Sequence, residues 1–359
     1  MRASSDLPLA SVGIPTYNRS HFLRESLAAA LAQTYPNLEV VVSDNASPDD
    51  TARVVEEVGN GRVRYHRNET NIGSPANFLK VLELARGEYF VWLQDDDLLH
   101  RDFVARGVEA LQATPAAVAY LAFALVTPDP EAVNNPELTG PAYPLAWMNG
   151  GARQFPGSVI TPLSLFLTMS MPPTTLYRTE HLRRHADTFL DPRTPLLNER
   201  TLLARLASDQ TVVAEPFIGG LFRHHNGQQS YLGQLDGNQL SGRAVAAEWP
   251  IMAEALDKIW QTQADRHDDL VADIISRFAD HHILECYHRA TQASGPNGLL
   301  RHVSGILRQV AARRGLDLDP PPPPPLPPSL RAKEVVRACT PPIVWSTLRK
   351  LVRRTANGR

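Results

Sequence analysis

The sequence predicts an α/β protein: a mixed, mostly parallel sheet flanked by helices, followed by a C-terminal helical appendage. Three observations carry that prediction. Over the first 126 residues, short apolar runs rich in β-branched and aromatic residues alternate with segments whose apolar positions recur every three or four residues, the pattern of a parallel, helix-covered sheet. Polar residues cluster directly after the apolar runs, where strands of an open parallel sheet present their functional groups. From about Leu240 only helical periodicity remains.

Size and composition agree. The 359 residues allow one large domain with an appendage, and 43% hydrophobic with 21% charged residues is the balance of a globular protein. A formal net charge of -2 argues against nucleic acid as a partner. The two cysteines, Cys286 and Cys339, lack the spacing of a disulfide framework or a structural zinc site. The N-terminus lacks the apolar core of a signal peptide, and no stretch approaches the roughly 20 apolar residues of a membrane span. A cytoplasmic location is expected.

Taken in order, Leu7 to Gly13 leads a first strand into Ile14-Pro15-Thr16-Tyr17-Asn18-Arg19, where Pro15 is expected to end the strand and the polar residues to form a loop. A helix starts near His21, with Phe22, Leu23, Leu27, Ala30 and Leu31 at helical spacing. Leu38 to Val42 is a second strand with Ser43-Asp44-Asn45 at its carboxyl end, and a helix begins near Pro48 or Asp49. Val63 to His66 is a third strand, Asn68 to Gly73 a polar loop, and Pro75 to Arg86 a helix stopped by Gly87. Tyr89 to Leu93 is a buried strand, Asp102 to Ala113 a helix and Ala116 to Val126 a long apolar strand.

The strand at Tyr89 runs almost directly into Asp95-Asp96-Asp97. Three like charges at a sheet edge repel one another unless a cation holds them. Oxygen ligands of this kind suit Mg²⁺ or Mn²⁺, held by one or two carboxylates plus substrate phosphates. A solvated acidic turn is the plainer alternative. Taken singly, Asp44 and Asn18 also fit helix caps, and Asn71-Ile72-Gly73 a turn. The convergence of four such sites on one edge is what points to a ligand crevice.

The segments Val12-Gly13-Ile14-Pro15-Thr16-Tyr17-Asn18-Arg19, Val42-Ser43-Asp44-Asn45-Ala46-Ser47, Asn71-Ile72-Gly73 and Leu93-Gln94-Asp95-Asp96-Asp97 resemble, in order and spacing, the family 2 glycosyltransferases of the GT-A fold. The stretch from Asn71 through Asn77-Phe78 and Gly87-Glu88-Tyr89 to the triplet is similar to the abequosyltransferase-like branch, whose members build surface polysaccharides. The likeness covers about the first 127 residues. It implies that Pro15, Thr16, Tyr17 and Asn18 contact the nucleoside of a nucleotide-sugar donor, with UDP first and CDP, GDP and dTDP open. It implies further that Asp44 accepts a hydrogen bond from the base and that Asn71 and Gly73 lie against the ribose or diphosphate. Asp95, Asp96 and Asp97 would form the DxD-type site, with Asp95 and Asp97 as metal ligands and Asp95 and Asp96 at the donor. Many members read Leu-Asp-x-Asp-Asp, and this chain has Gln94 where the first Asp falls.

In the second half, Pro128 to Ser158 reads as a long loop, and Pro172 to Arg178 resembles the segment that returns to the sheet beside the acceptor. Glu199 occupies roughly the place of the family's general base, with Asp191 and Asp209 in reserve; it also fits a first-turn helix acid favoured by the dipole. Thr201 stands where a second acid often falls. Arg223-His224-His225 resembles the closing strand, which would make His225 a metal ligand and Arg223 a partner of the diphosphate; both histidines also fit surface positions at a strand end.

The expected organisation is a GT-A domain over residues 1–235, with a nucleotide half to about 127 and an acceptor half after it, a helical appendage over 236–315, a proline-rich linker over 316–330 and a basic tail over 331–359. Helices are expected over Val245 to Ile259, Leu270 to Ala290 and Leu299 to Ala312. Pro320 to Pro325 form a polyproline spacer. The tail sets eight Lys or Arg against Glu334, with Trp345 among apolar residues at helical spacing, which fits a peripheral contact with the inner face of a membrane as well as a frayed basic end. The function implied is metal-dependent, inverting transfer of a sugar to a saccharide or lipid-linked acceptor, in surface polysaccharide or glycan biosynthesis. Two alternatives stay open. A sugar nucleotidyltransferase would show a Gly-rich phosphate loop in place of Pro15-Thr16-Tyr17-Asn18; a non-catalytic nucleotide-sugar binder is motivated by Gln94.

Overall fold

Seven buried residues, Ala10–Thr16, form the strand β1 around which the sheet is laid. The structure, a computed structural model, describes residues 7–126, 142–143, 153–165, 174–191, 193, 198–208, 210–223, 240–278, 280–292 and 297–318. β1 lies parallel between β2 (Leu38–Asp44) and β4 (Tyr89–Trp92), and β3 (Val63–Arg67) lies parallel outside β2. β9 (Thr175–Arg178) then runs antiparallel between β4 and β6 (Val118–Val126). β10 (Thr211–Arg223) is parallel to β6, and β5 (Leu98–Leu99) pairs antiparallel with β10. Two short strands, β7 (Ala142–Tyr143) and β8 (Arg153–Pro156), pair with β6 and β10. The sheet is mixed, in the order β3-β2-β1-β4-β9-β6-β10-β5.

Alternate residues of β1 serve opposite faces. Ala10, Val12 and Ile14 share one core with Leu23, Leu27 and Ala30 of α1 (Ser20–Leu31), Val54 and Val55 of α2 (Thr51–Gly59) and Phe103, Val104, Val108 and Leu111 of α4 (Phe103–Gln112). Each fully buried Leu there contributes about 2 kcal/mol. Gly13 faces the other side, beneath α3 (Ser74–Leu84), where a Cβ would lie 2.7 Å from Phe90 Cζ and 3.2 Å from Val81 Cγ2. A side chain at Gly13 would push this layer apart.

Pro15 does not end β1: the strand continues in register with Ser43, and Thr16 pairs with Asp44. The reason lies in which way the missing N–H points. Gly13 O accepts from Leu93 N at 2.9 Å, so Gly13 turns toward β4, and Pro15, two residues on, turns the same way. β4 is paired only as far as Trp92, opposite Gly13. No ladder bond is lost at Pro15.

The helix expected to reach Arg86 stops at Leu84, because Ala85 turns extended (ψ 147°) and leads the chain back to the sheet. Arg183 of α6 (Thr179–His185) donates to the carbonyls of Ala85 and Leu82 at 2.6 and 3.1 Å, satisfying groups a helix end leaves open. Within the stretch expected as one long loop, the described residues include β7, β8 and the start of α5 (Gly157–Ser164). Runs of two and four residues carry too little periodicity to be seen without the strands they pair with.

After α7 (Asn198–Ala207) the helical region comprises α8 (Leu240–Gln261), α9 (Asp268–Ile275), α10 (Asp280–Gln292) and α11 (Gly298–Arg313). The single helix expected over Leu270 to Ala290 is therefore two. After Ile275, the N–H groups of Arg277 and Phe278 bond three residues back, and Ser276 Oγ donates to Asp273 O. α8 packs on α5 and α7, α9 packs on α5, and α11 packs on α8, α9 and α10. The described residues up to Leu316 belong to one compact unit. The polyproline stretch and the basic tail lie outside the described residues. Among the described residues no helix is long and apolar enough to cross a membrane.

Gly157 opens α5 against the end of α7, where a Cβ would fall 1.4 Å from Ala207 O. Gly157→Ala should cost about 3 kcal/mol, read as a lower urea midpoint; an unchanged midpoint would refute this contact.

Candidate active site

The carboxyl ends of β1, β2 and β4 meet at one edge of the sheet. Asp44, at the end of β2, is 1% exposed. Its Oδ1 accepts from Ser47 N at 2.8 Å and its Oδ2 from the Tyr65 hydroxyl at 2.6 Å, with Arg67 Nε 3.4 Å away. Asp44 caps no helix: α2 starts at Thr51, whose N–H donates to Asp49. Each carboxylate oxygen can accept more than one bond, so Asp44 is held in place and keeps acceptor capacity. Burial and donation to Asp44 together push the Tyr65 phenol above its ordinary range.

Behind Asp44 lies an amide network that the sequence analysis did not anticipate. Asn77, 3% exposed, accepts on Oδ1 from Ser43 Oγ (2.7 Å) and Asn68 Nδ2 (3.0 Å), and its Nδ2 donates to Ser43 O at 2.9 Å. Asn45 accepts from Asn68 Nδ2 (3.1 Å) and Ile72 N (2.9 Å) and donates to Asn71 Oδ1 at 2.8 Å. Asn71 also accepts from Gly73 N at 2.9 Å, so its side chain makes the turn that precedes α3. Gly73 has φ +85°, with nothing within 4 Å of where a Cβ would sit. The backbone conformation, not crowding, selects glycine there. The run of Asn and Ser after the strands was the available signal, but amides are too common in loops to mark a network.

Asn18 and Ala46 both adopt left-handed backbone, with φ 55° and 63°, and Asn18 N donates to Ser47 Oγ at 2.9 Å. Non-glycine residues in that region are uncommon. Asn18 does not cap α1, whose N-cap is Arg19. Around this edge Tyr17, Tyr65 and Ile72 stand 44%, 37% and 43% exposed. These are apolar surfaces on which a planar ring can lie.

The triplet follows β4 and is buried: Asp95, Asp96 and Asp97 are 5%, 2% and 0% exposed. The reading as a solvated acidic turn therefore fails. Asp95 Oδ2 accepts from Thr16 Oγ1 at 2.7 Å and Tyr17 N at 3.4 Å, and its carbonyl accepts from Ser26 Oγ at 2.6 Å. Arg19 Nη1 lies 3.3 Å from Asp95 Oδ1 and 2.8 Å from Asp96 Oδ2. Asp97 Oδ1 accepts from Arg223 N at 2.9 Å, whereas its Oδ2 is buried with no hydrogen-bond partner among the described residues. Burial first, and repulsion by Asp96 second, push the Asp95 carboxyl up to about 6 and Asp97 well above the ordinary carboxylate range.

Arg223 is 2% exposed. The sequence analysis gave its guanidinium to a diphosphate, but it pairs with Glu25 and lies 5.2 Å from the Phe22 ring centre. The reason is register: the end of β10 lies over α1, so the side chain meets Phe22 and Glu25 while the main chain meets Asp97. Among the described residues, the Arg19 guanidinium lies beside Asp95 and Asp96, and the Arg223 guanidinium pairs with Glu25. Asp97 Oδ2, with no hydrogen-bond partner among the described residues, is a suitable oxygen ligand for a divalent cation. Among the described residues no group of three or more His, Cys, Asp or Glu is arranged to hold a metal by itself. An ion here would therefore take one or two carboxylates and complete its shell from a substrate or water. His225 and Asp209 lie outside the described residues.

Glu199 sits in the first turn of α7, half-buried. Burial pushes its carboxyl up to about 8, against the pull of Arg200. Its charge acts on the buried Tyr177 of β9, whose ring meets Trp92 edge-on at 5.7 Å. Asp191 is the poorer base: Arg193 grips both its oxygens at 2.9 and 2.7 Å and holds it below the ordinary range. A cavity of about 510 Å³ lined by Thr201, Arg205, Glu254 and Lys258 is not part of this cleft. Thr201 follows Glu199 by two residues, about 200° around the helix.

Sheet order, crossovers and the acid-lined edge define the GT-A class of nucleotide-sugar folds. S. aureus TarS 1-349 has a TM-score of 0.52 with this chain at 16% identity, covering 86% of this chain and 92% of that one; the TarS 1-349 complex with UDP gives 0.50 at 17%. That likeness shows the fold. Residues 11–159 match the family model described as glycosyl transferase family 2. An uncharacterized glycosyltransferase of Rickettsia typhi is 32% identical over 111 residues, which are 31% of this chain and 34% of that protein. Abequosyltransferase RfbV of Salmonella typhimurium is 39% identical over 102 residues, 27% of this chain and 31% of its own length. The chain spans about a third of the length of these relatives.

The Glu199 shift predicts a pH effect on stability. Between the ordinary carboxylate range and about 8 the unfolded chain is ionised while the folded one keeps the proton, so stability falls as pH rises. Glu199→Gln, neutral throughout, should lose less stability than the native chain between pH 5 and pH 9 in urea titrations. Parallel curves would place Glu199 in water.

Proposed function

We propose that this chain transfers a sugar, with inversion, from a nucleoside-diphosphate sugar to a saccharide or lipid-linked acceptor, with Mn²⁺ or Mg²⁺ held by Asp95 and Asp97. The observation that carries the reading is the buried triplet, with Asp97 Oδ2 unpartnered among the described residues, at the same edge as Asp44, Tyr17 and Tyr65. Tyr17 and Tyr65 offer rings to a base and Asp44 an acceptor to its N–H, while Pro15, Thr16 and Asn18 shape the wall and Asn71 and Gly73 lie toward ribose and diphosphate. Because TarS was crystallised with UDP and with UDP-GlcNAc, uridine donors are the first to test, before CDP-, GDP- and dTDP-sugars. When bound, a divalent cation supplies charge neutralisation for the departing diphosphate.

The other half of the reaction falls to Glu199. A carboxyl raised to about 8 holds its proton loosely near neutral pH and, once ionised, is basic enough to take the proton from an acceptor hydroxyl. Arg223 acts from behind, orienting Asp97 through its main-chain N–H. The abequosyltransferase likeness supports a role in surface polysaccharide synthesis. The composition of the tail over 331–359 supports work in the cytoplasm at the inner face of a membrane.

Incubation with Mn²⁺, saccharide acceptors and a panel of nucleotide sugars should release nucleoside diphosphate; release of pyrophosphate from a nucleoside triphosphate supplied with a sugar 1-phosphate would make the chain a nucleotidyltransferase, and donor binding with neither product a non-catalytic binder. Asp97→Ala should abolish metal-dependent turnover while leaving the circular dichroism spectrum and unfolding cooperative, since it removes a buried charge. Full activity in that variant would defeat the metal assignment. Glu199→Gln should reduce transfer by about 10²-fold or more yet retain nucleotide binding. The native rate should rise with pH through about 8 as the base ionises; a rate that is flat or falling over that range would move the base elsewhere.

A further inference from the structure

The triplet and Asp44 sit at the carboxyl ends of the parallel strands; at the amino ends, where Thr211 opens β10 and Pro115 leads toward β6, lies a recess of about 400 Å³. The start of α5 and the loop between α8 and α9 complete its walls. Its volume is in the range of small-molecule sites, about 300–1,000 Å³. Gln263 is 9% exposed and its main-chain N–H is tied to Trp260 O at 3.1 Å, yet its side-chain Nε2 is buried with no hydrogen-bond partner among the described residues. Thr211 Oγ1, in the same lining, is buried and unpartnered in the same sense. Two such atoms in one recess are unfavourable, because each has given up water without gaining a bond. To these α5 adds its N-terminus: Gly157 and Ser158 line the recess, and no side chain caps the helix. The first N–H groups of a helix have no partner within it, and the close approach of Gly157 to Ala207 O fixes where α5 begins.

The lining also holds an acceptor. Asp265, its side chain 73% exposed, pairs with His267 at 3.1 Å, and both line the recess, which has no Lys or Arg among the described residues. Buried donors beside a more exposed carboxylate suit hydroxyl groups, which donate and accept at once; an anionic ligand would meet the Asp265 charge with no cationic Lys or Arg to offset it. We propose that this recess is a second saccharide site, which holds one neutral sugar unit through Gln263 Nε2, Thr211 Oγ1 and the first N–H groups of α5, with Asp265 accepting from a sugar hydroxyl. It lies the whole length of β10 from Asp97, which meets Arg223 N at the far end of that strand. Its occupant is therefore a unit of an existing glycan and not the sugar being transferred; that last step rests on the transfer reading above, whereas the site itself does not.

The test is saturation-transfer NMR with the methyl glycosides of glucose, galactose, mannose, N-acetylglucosamine and rhamnose, and with inorganic phosphate as the anionic probe, on the native chain, Asp97→Ala, Gln263→Met and Thr211→Val. At least one glycoside should bind the native chain and Asp97→Ala alike, its signal unchanged by excess UDP with Mn²⁺. Gln263→Met and Thr211→Val should each weaken that binding by about tenfold, the loss of one hydrogen bond. Each of these two changes removes a buried polar atom that has no partner among the described residues, so both variants should melt at or above the native midpoint. With a small soluble acceptor both should release nucleoside diphosphate at the native rate, which keeps the transfer reading separate from this site. Glycoside signals lost on adding UDP or in Asp97→Ala would put the sugar in the catalytic cleft and overturn the proposal. So would equal affinity in the two variants, phosphate bound in place of the glycosides, or no signal from any glycoside.

Discussion

The constraint on which the molecule depends is the burial of three adjacent carboxylates at the end of a strand. Like charges removed from water are strongly unfavourable unless each finds a donor or a cation. The chain answers with groups from separate elements: Thr16 from β1, Tyr17 and Arg19 from the following loop, Ser26 from α1 and the Arg223 main chain from the end of β10. The acids therefore join the first strand to the last one described, and the site cannot form until both halves of the sheet are in register.

The surroundings of the site combine a packed aromatic and amide floor with an exposed rim. Beneath β4, Trp92 packs against Phe78, Phe90, Tyr177 and Phe189 at 4.9 to 6.0 Å and donates from its indole to Phe78 O. This cluster ties α3 and the turn at 186–190 to the strand that carries the triplet. The amides of Asn45, Asn68 and Asn77 do the same for the loops beside Asp44. Above this floor Tyr17, Tyr65 and Ile72 stand exposed.

Much of the first 126 residues was legible from the chain alone because its signals are local. Val12-Gly13-Ile14, Val40-Val41-Val42 and Tyr89-Phe90-Val91 are runs that only a buried strand accommodates, and the polar residues that follow them fall at one edge by topology. Pro15 misled because a proline breaks a ladder only where a partner strand exists on its N–H side. The residues after 126 were less legible. β9 enters between β4 and β6 antiparallel, as a run of four residues, and nothing in Thr175-Leu176-Tyr177-Arg178 names its neighbours.

Composition and periodicity by themselves determined the class of sheet, the acid-bearing strand end and the helical second half, since these follow from alternation and burial along contiguous residues. Only the tertiary structure decided what those acids meet. Whether Arg223 presents its guanidinium or its main-chain N–H, whether Arg19 lies between two aspartates, and whether Glu199 is shielded from water all depend on contacts between residues far apart in sequence. Desolvation and Coulomb forces act through space, and no spacing along the chain encodes them.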